Sequence, residues 1–148
     1  MLDMFADLIN RLTANDPEPM NDGDARLALT ALLVRIARSD NEYAPAEIAQ
    51  IDRITEARYG LSTTEAESLR KEAEELEAGA PDTVRFTRAI KDAVPYDSRR
   101  GVVEAMWQVV LADGDRADAE NALMRLTANL LGVTDRDSAL ARQKAETR

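Results

Sequence analysis

The chain has 148 residues, enough for one domain that buries roughly two-thirds of its unfolded surface and folds without staples. With 19 basic against 28 acidic residues its formal charge is −9, which repels phosphate backbones and anionic lipid surfaces and favours cations or basic partners. It has no cysteine and no histidine, which excludes disulfides, thiolate chemistry, the common zinc sites, a histidine triad and a histidine acid–base.

The apolar content is mostly Ala, Leu, Val and Ile, with Phe5, Tyr43, Tyr59, Phe86, Tyr96 and Trp107 as the aromatics, and this favours packed helices over a β-sandwich. Met1, Leu2, Met4, Phe5, Leu8, Ile9 and Leu12 form one stripe opposite Asp3, Asp7, Asn10 and Arg11. That spacing predicts an amphipathic helix over 2–13, packed on its own domain or forming a homodimer seam. Asn15-Asp16-Pro17-Glu18-Pro19 then makes a linker. The leading residues do not resemble a signal peptide and no apolar run approaches ~18 residues, so the expectation is a cytoplasmic protein with no membrane insertion.

Asp22-Gly23-Asp24 can cap the next helix, whose Leu27, Ala28, Ala31, Leu32, Leu33, Val34, Ile36 and Ala37 give an apolar surface wider than one stripe, as a central helix needs. Pro45 opens a further helix that runs on Ile48, Ile51 and Ile54 until Gly60 ends it. Ser62-x-x-Glu65 is a capping box for a helix to Ala78-Gly79, with Glu72, Glu74, Glu75 and Glu77 predicted on a solvated outer face. Pro81-Asp82 begins a helix with Val84, Phe86, Ala89, Ile90 and Ala93 facing in, and Pro95 ends it. Asp97-Ser98 is predicted to cap the second central helix, on Val102, Val103, Met106, Trp107, Val109, Val110 and Leu111. A helix on Ala119, Leu123, Leu126 and Leu130 stops at Gly132, and Thr134 caps a last one from about Asp135 to Lys144. Trp107, Met106 and Met124 read as core.

Two stretches share one acidic spacing. Asp40-Asn41-Glu42 with Glu47 and Asp113-Gly114-Asp115 with Glu120 both read Asp-x-(Asp/Glu)-x4-Glu, at an offset of 73 residues, and Gly60-Leu61-Ser62 matches Gly132-Val133-Thr134 at an offset of 72. The chain therefore reads as an all-α bundle of seven to eight helices built from two related repeats, about 24–78 and 97–140. The domain spans 20–141, between an N-terminal helix and linker over 1–19 and a frayed tail over 142–148.

In each copy the first acid closes a helix, the second lies in the turn, and the last falls in the first turn of the next helix. Helical side chains lean toward the N-terminus, so Glu47 and Glu120 point back over the turns. Three clustered carboxylates repel one another unless a cation or a basic side chain sits among them. An all-oxygen set selects hard cations, and this many carboxylates suits calcium better than magnesium or manganese. Asp40, Glu42, Glu47, Asp113, Asp115 and Glu120 are thus predicted metal ligands, in two sites or one shared site. The bland reading is that the same acids are helix caps and internal salt-bridge partners, leaving a metal-free interaction or dimerisation module. Arg85, Arg88, Lys91, Arg99 and Arg100 form the most basic stretch and are expected to neutralise the acidic turns; with no aromatic ladder beside them, no nucleic-acid site is predicted. No activated nucleophile or glycine-rich phosphate loop appears, so no catalytic residue is assigned.

At these residues the chain resembles the TerB-like domains, named for a tellurite-resistance protein. Ala37-Arg38-Ser39-Asp40-Asn41-Glu42 with Glu47, Tyr59-Gly60-Leu61-Ser62, and Leu111-Ala112-Asp113-Gly114-Asp115 with Glu120 carry the likeness, over roughly 24–140. The resemblance implies a helical bundle of two similar halves and an acidic metal site. It also implies a stress-linked binding module often tied to the inner face of the membrane, and the chain is expected to be non-enzymatic, to act through protein partners and to associate with a membrane-bound complex.

Overall fold

The computed structural model describes residues 22–38, 43–79, 83–112 and 118–146; the predicted first helix and linker lie outside the described residues. These form seven helices and no strand: α1 Asp22–Ala37, α2 Pro45–Tyr59, α3 Thr63–Gly79, α4 Thr83–Ala93, α5 Tyr96–Ala112, α6 Asp118–Leu130 and α7 Asp135–Glu146. The all-α expectation holds.

The two helices expected at the centre are there. In α1, Ala28, Ala31, Leu32, Val34, Ile36 and Ala37 have no exposed surface, and in α5 the same is true of Val103, Met106, Val109 and Val110. A helix buried on several faces needs partners on several sides. Accordingly α1 packs most extensively on α3 and also touches α2, α4, α5 and α6, while α5 packs most extensively on α7 and also on α1, α2 and α6. Trp107 is buried beside them, with its indole N–H donating to Ser138 Oγ at 3.3 Å. Met124 has no exposed surface.

Two turns of the bundle, after α2 and after α6, run through the same local steps. Gly60 (φ 65°) and Gly132 (φ 75°) both hold the left-handed conformation that lets the chain leave a helix sharply. After each turn a hydroxyl starts the next helix: Ser62 Oγ accepts from the Glu65 N–H at 3.2 Å, and Thr134 Oγ1 accepts from the Asp137 N–H at 3.1 Å. Glu65 returns the bond to the Ser62 N–H at 2.9 Å, which completes the capping box. An arginine braces each turn. The Arg26 guanidinium lies 4.7 Å from the centre of the Tyr59 ring, and Arg99 donates to the Leu131 carbonyl while lying 5.3 Å from the Tyr96 ring.

Three expectations need correction. Asp97 and Ser98 do not cap α5, because the helix already begins at Tyr96; the Pro95 carbonyl accepts the first bond, from the Arg99 N–H at 3.0 Å. Leu126 and Val84 were expected to face inward, yet they are 49% and 42% exposed. Among the described side chains of α6 the buried positions are Met124, Thr127 and Ala128, so the inner face is turned by one residue from the Leu123–Leu126–Leu130 stripe. Glu74 and Glu77 are not on a solvated face either; both are half-buried, as described below.

Candidate functional site

Of the six acids predicted to bind a cation, only Glu47 has a described side chain. Asp40, Glu42, Asp113 and Asp115 lie outside the described residues, and Glu120 is placed only as a position in the first turn of α6. Among the described residues no three acidic side chains gather where one ion could sit.

Glu47 stands at the third position of α2, immediately after the Pro45 start, and has no exposed surface. Its Oε1 accepts from the Ala44 N–H at 3.3 Å. Ala44 is extended (φ −67°, ψ 145°) and has no side-chain acceptor, so only the glutamate's half of a capping box is formed. The carboxylate therefore points back over the start of its helix, as the lean of helical side chains predicts.

Arg38 and Tyr43 flank the segment that carries Asp40 and Glu42. The Arg38 guanidinium lies 5.0 Å from the centre of the Tyr43 ring and pairs with Glu77 at 3.8 Å. The Tyr43 hydroxyl donates to Glu74 Oε2 at 2.7 Å. Glu74 also accepts from Arg70 at 3.2 Å, and Arg70 Nε donates to Asp52 Oδ1 on α2 at 2.7 Å. Arg35 reaches the Glu77 carbonyl at 3.3 Å. A polar network on α3 thus fastens both ends of the first acidic segment. The 70–74 spacing, one helical turn, was the sequence signal for part of it; the links to Tyr43 and Asp52 join distant positions and have none.

Burial pushes the Tyr43 phenol above its ordinary range, and the bond to Glu74 adds to the effect; burial likewise raises Tyr59. The folded state therefore favours neutral phenols, while the unfolded chain ionises them near pH ~10. The associated stability is complete below that pH and is lost as pH rises through the raised folded values. Urea midpoints measured between about pH 9 and 11 should fall with rising pH, and less steeply in Tyr43→Phe. An unchanged slope in that variant would place the alkaline sensitivity elsewhere.

In the second half, Arg142 pairs with Glu146 at 3.0 Å and lies 5.2 Å from the centre of the Trp107 ring, and Lys144 pairs with Glu104 at 3.7 Å. The acidic turns that the basic stretch was expected to neutralise lie outside the described residues. Arg99 is engaged at Leu131 and Tyr96, and Arg100 pairs with Asp97 at 3.4 Å.

Seven helices among the described residues, with two apolar ones at the centre, define a small all-helical domain. The chain belongs to the TerB family, since the family model described as Tellurite resistance protein TerB matches residues 26–143. A crystal structure of a protein of unknown function from Porphyromonas gingivalis W83 has a similar fold. Its TM-score is 0.64 at 20% sequence identity, over 90% of this chain and 95% of that one. No curated protein matches the chain. No described helix is long and apolar enough to cross a membrane.

Proposed function

We propose that this chain is a non-enzymatic, divalent-cation-binding helical module of the cytoplasm that acts through protein partners. Asp40, Glu42 and Glu47 form one ligand set and Asp113, Asp115 and Glu120 the other. The observation that carries this reading is Glu47, a carboxylate with no exposed surface that follows Glu42 by five residues in the chain. A buried carboxylate needs compensating charge or donors. The Ala44 N–H supplies one, and a cation shared with neighbouring acids would supply more. Oxygen-only donors in this number fit calcium, ahead of magnesium or manganese. The family description, tellurite resistance, supports a stress-linked role.

A second reading has its own observation. The bond from Ala44 to Glu47 is a helix cap, and if all six acids serve as caps and ion-pair partners the domain is a metal-free interaction module. Thermal unfolding of metal-stripped protein separates the two. Calcium at a hundredfold excess over its dissociation constant is expected to stabilise the fold by about 2.7 kcal/mol, and Glu47→Gln or Asp113→Asn should reduce that gain. No change at millimolar calcium, magnesium or manganese would leave the caps reading in possession.

A further inference from the structure

In the first half, Arg70 of α3 closes the seam with α2. It meets Asp52 across the seam at 2.7 Å and Glu74 on its own helix at 3.2 Å, and its side chain is only 13% exposed. At the offset of 72 that relates Gly60 to Gly132, Arg142 stands in place of Arg70 and Glu146 in place of Glu74, and their pairing at 3.0 Å repeats the first. Asp52, at the offset of 73 that relates the acidic segments, is replaced by Arg125. Two guanidinium groups cannot bridge α6 to α7 as Arg70 and Asp52 bridge α2 to α3.

The second seam is accordingly open. A cleft of about 690 Å³ lies there, lined by Trp107, Arg125, Asn129, Ser138, Arg142 and Gln143, with Asp135 and Glu146 also on its wall. Arg142 is 38% exposed. Its guanidinium is held against the Trp107 ring, and Trp107 is fixed in turn by its bond to Ser138. Arg125 is exposed and makes no ion pair among the described residues, with Asp135 included.

We propose that this cleft binds a carboxylate side chain from an acidic segment of a partner protein, seated between Arg125 and Arg142 in the role that Asp52 has against Arg70. Arginine forks suit carboxylates because they offer paired N–H donors in one plane. The Asn129 and Gln143 amides beside them can meet a peptide backbone. A chain of net charge −9 repels polyanions, so the occupant brings one or two carboxylates and not a phosphate backbone. The inference gives a surface to the partner-binding part of the reading above, on which it rests, and is independent of the cation part.

The test is a titration of the isotope-labelled full chain with the capped peptide acetyl-Ala-Glu-Ala-amide, followed by NMR at the Trp107 indole and the arginine Nε–H signals. Saturable shifts are expected with this peptide and not with its Gln counterpart, and Arg125→Ser should weaken the response by about tenfold or more. Arg125→Asp restores the first-half pairing, so it should ignore the peptide and melt about 1–3 °C above Arg125→Ser. The proposal is overturned by no saturable shift at tens of millimolar peptide, by equal shifts with the Gln peptide, or by an unchanged response in Arg125→Ser. Tighter binding of free glutarate would assign the cleft to a small acid and overturn it too, and equal melting of the two Arg125 variants would remove the equivalence with Asp52. Calcium stabilisation measured on the same samples reports on the cation reading separately.

Discussion

Leu32→Ala is expected to lower the free energy of unfolding by about 2–5 kcal/mol, measured by urea denaturation, and the melting temperature by roughly 5–15 °C. Leu32 has no exposed surface and sits in α1, which is in contact with every other helix except α7 among the closer pairs of the bundle. Its truncation removes apolar transfer energy and leaves a cavity that neighbours on several sides cannot all move to fill. Leu140, 51% exposed on α7, is the control, and Leu140→Ala should change stability by no more than about 0.5 kcal/mol. Similar losses at the two positions would contradict the central placement of α1.

The second large effect concerns Arg70. Arg70→Met is expected to cost about 1.5–3 kcal/mol, because it leaves Asp52 and Glu74, 24% and 21% exposed, without the cation that both contact. Lys71→Met next to it should cost close to nothing: Lys71 pairs with Glu67 at 3.1 Å, but the two are 65% and 48% exposed and the surrounding water screens them. A double-mutant cycle between Arg70→Met and Asp52→Asn should give a coupling of about 1 kcal/mol. Strict additivity would mean that the contact contributes nothing across the seam. The loss should also weaken the hold on Tyr43, since Arg70 and Tyr43 share Glu74.

What the sequence makes legible here follows from the range of the forces involved. Pro45, Gly60, the Ser62–Glu65 box, Gly132 and Thr134 act within a few residues, and the helix ends they predict are the ones observed. The apolar breadth of α1 and α5 marks them as central for a similarly local reason: a helix with apolar residues on more than one stripe must be covered on more than one side. Leu126 and Val84 show the limit. An apolar stripe says which side of a helix can be buried, but the neighbouring helices decide the rotation, and in α6 they select Met124, Thr127 and Ala128. Glu74 and Glu77 fail for the same reason, since a glutamate among glutamates reads as solvated until Tyr43 and Arg38 arrive from another part of the chain. For the candidate site, the direction of Glu47 was legible from helix geometry. Its complete burial was not, because that depends on tertiary packing over the start of α2.

The pattern of helix contacts bears on how the chain reaches its native state. The two most extensive pairings, α1 with α3 and α5 with α7, each join helices separated by one intervening helix, whereas the halves meet across the longer loop closures of α1 and α2 with α5. Closing a short loop costs less chain entropy than closing a long one, so each half can assemble its own helical hairpins before the halves dock. Val34, Ile36, Val103 and Val110 have no exposed surface in the complete bundle, where α1 and α2 pack on α5, so the docking step is the one that joins the two central helices. Folding by such a route is fast in its early local steps and gains cooperativity at the last, when α1 and α5 come together.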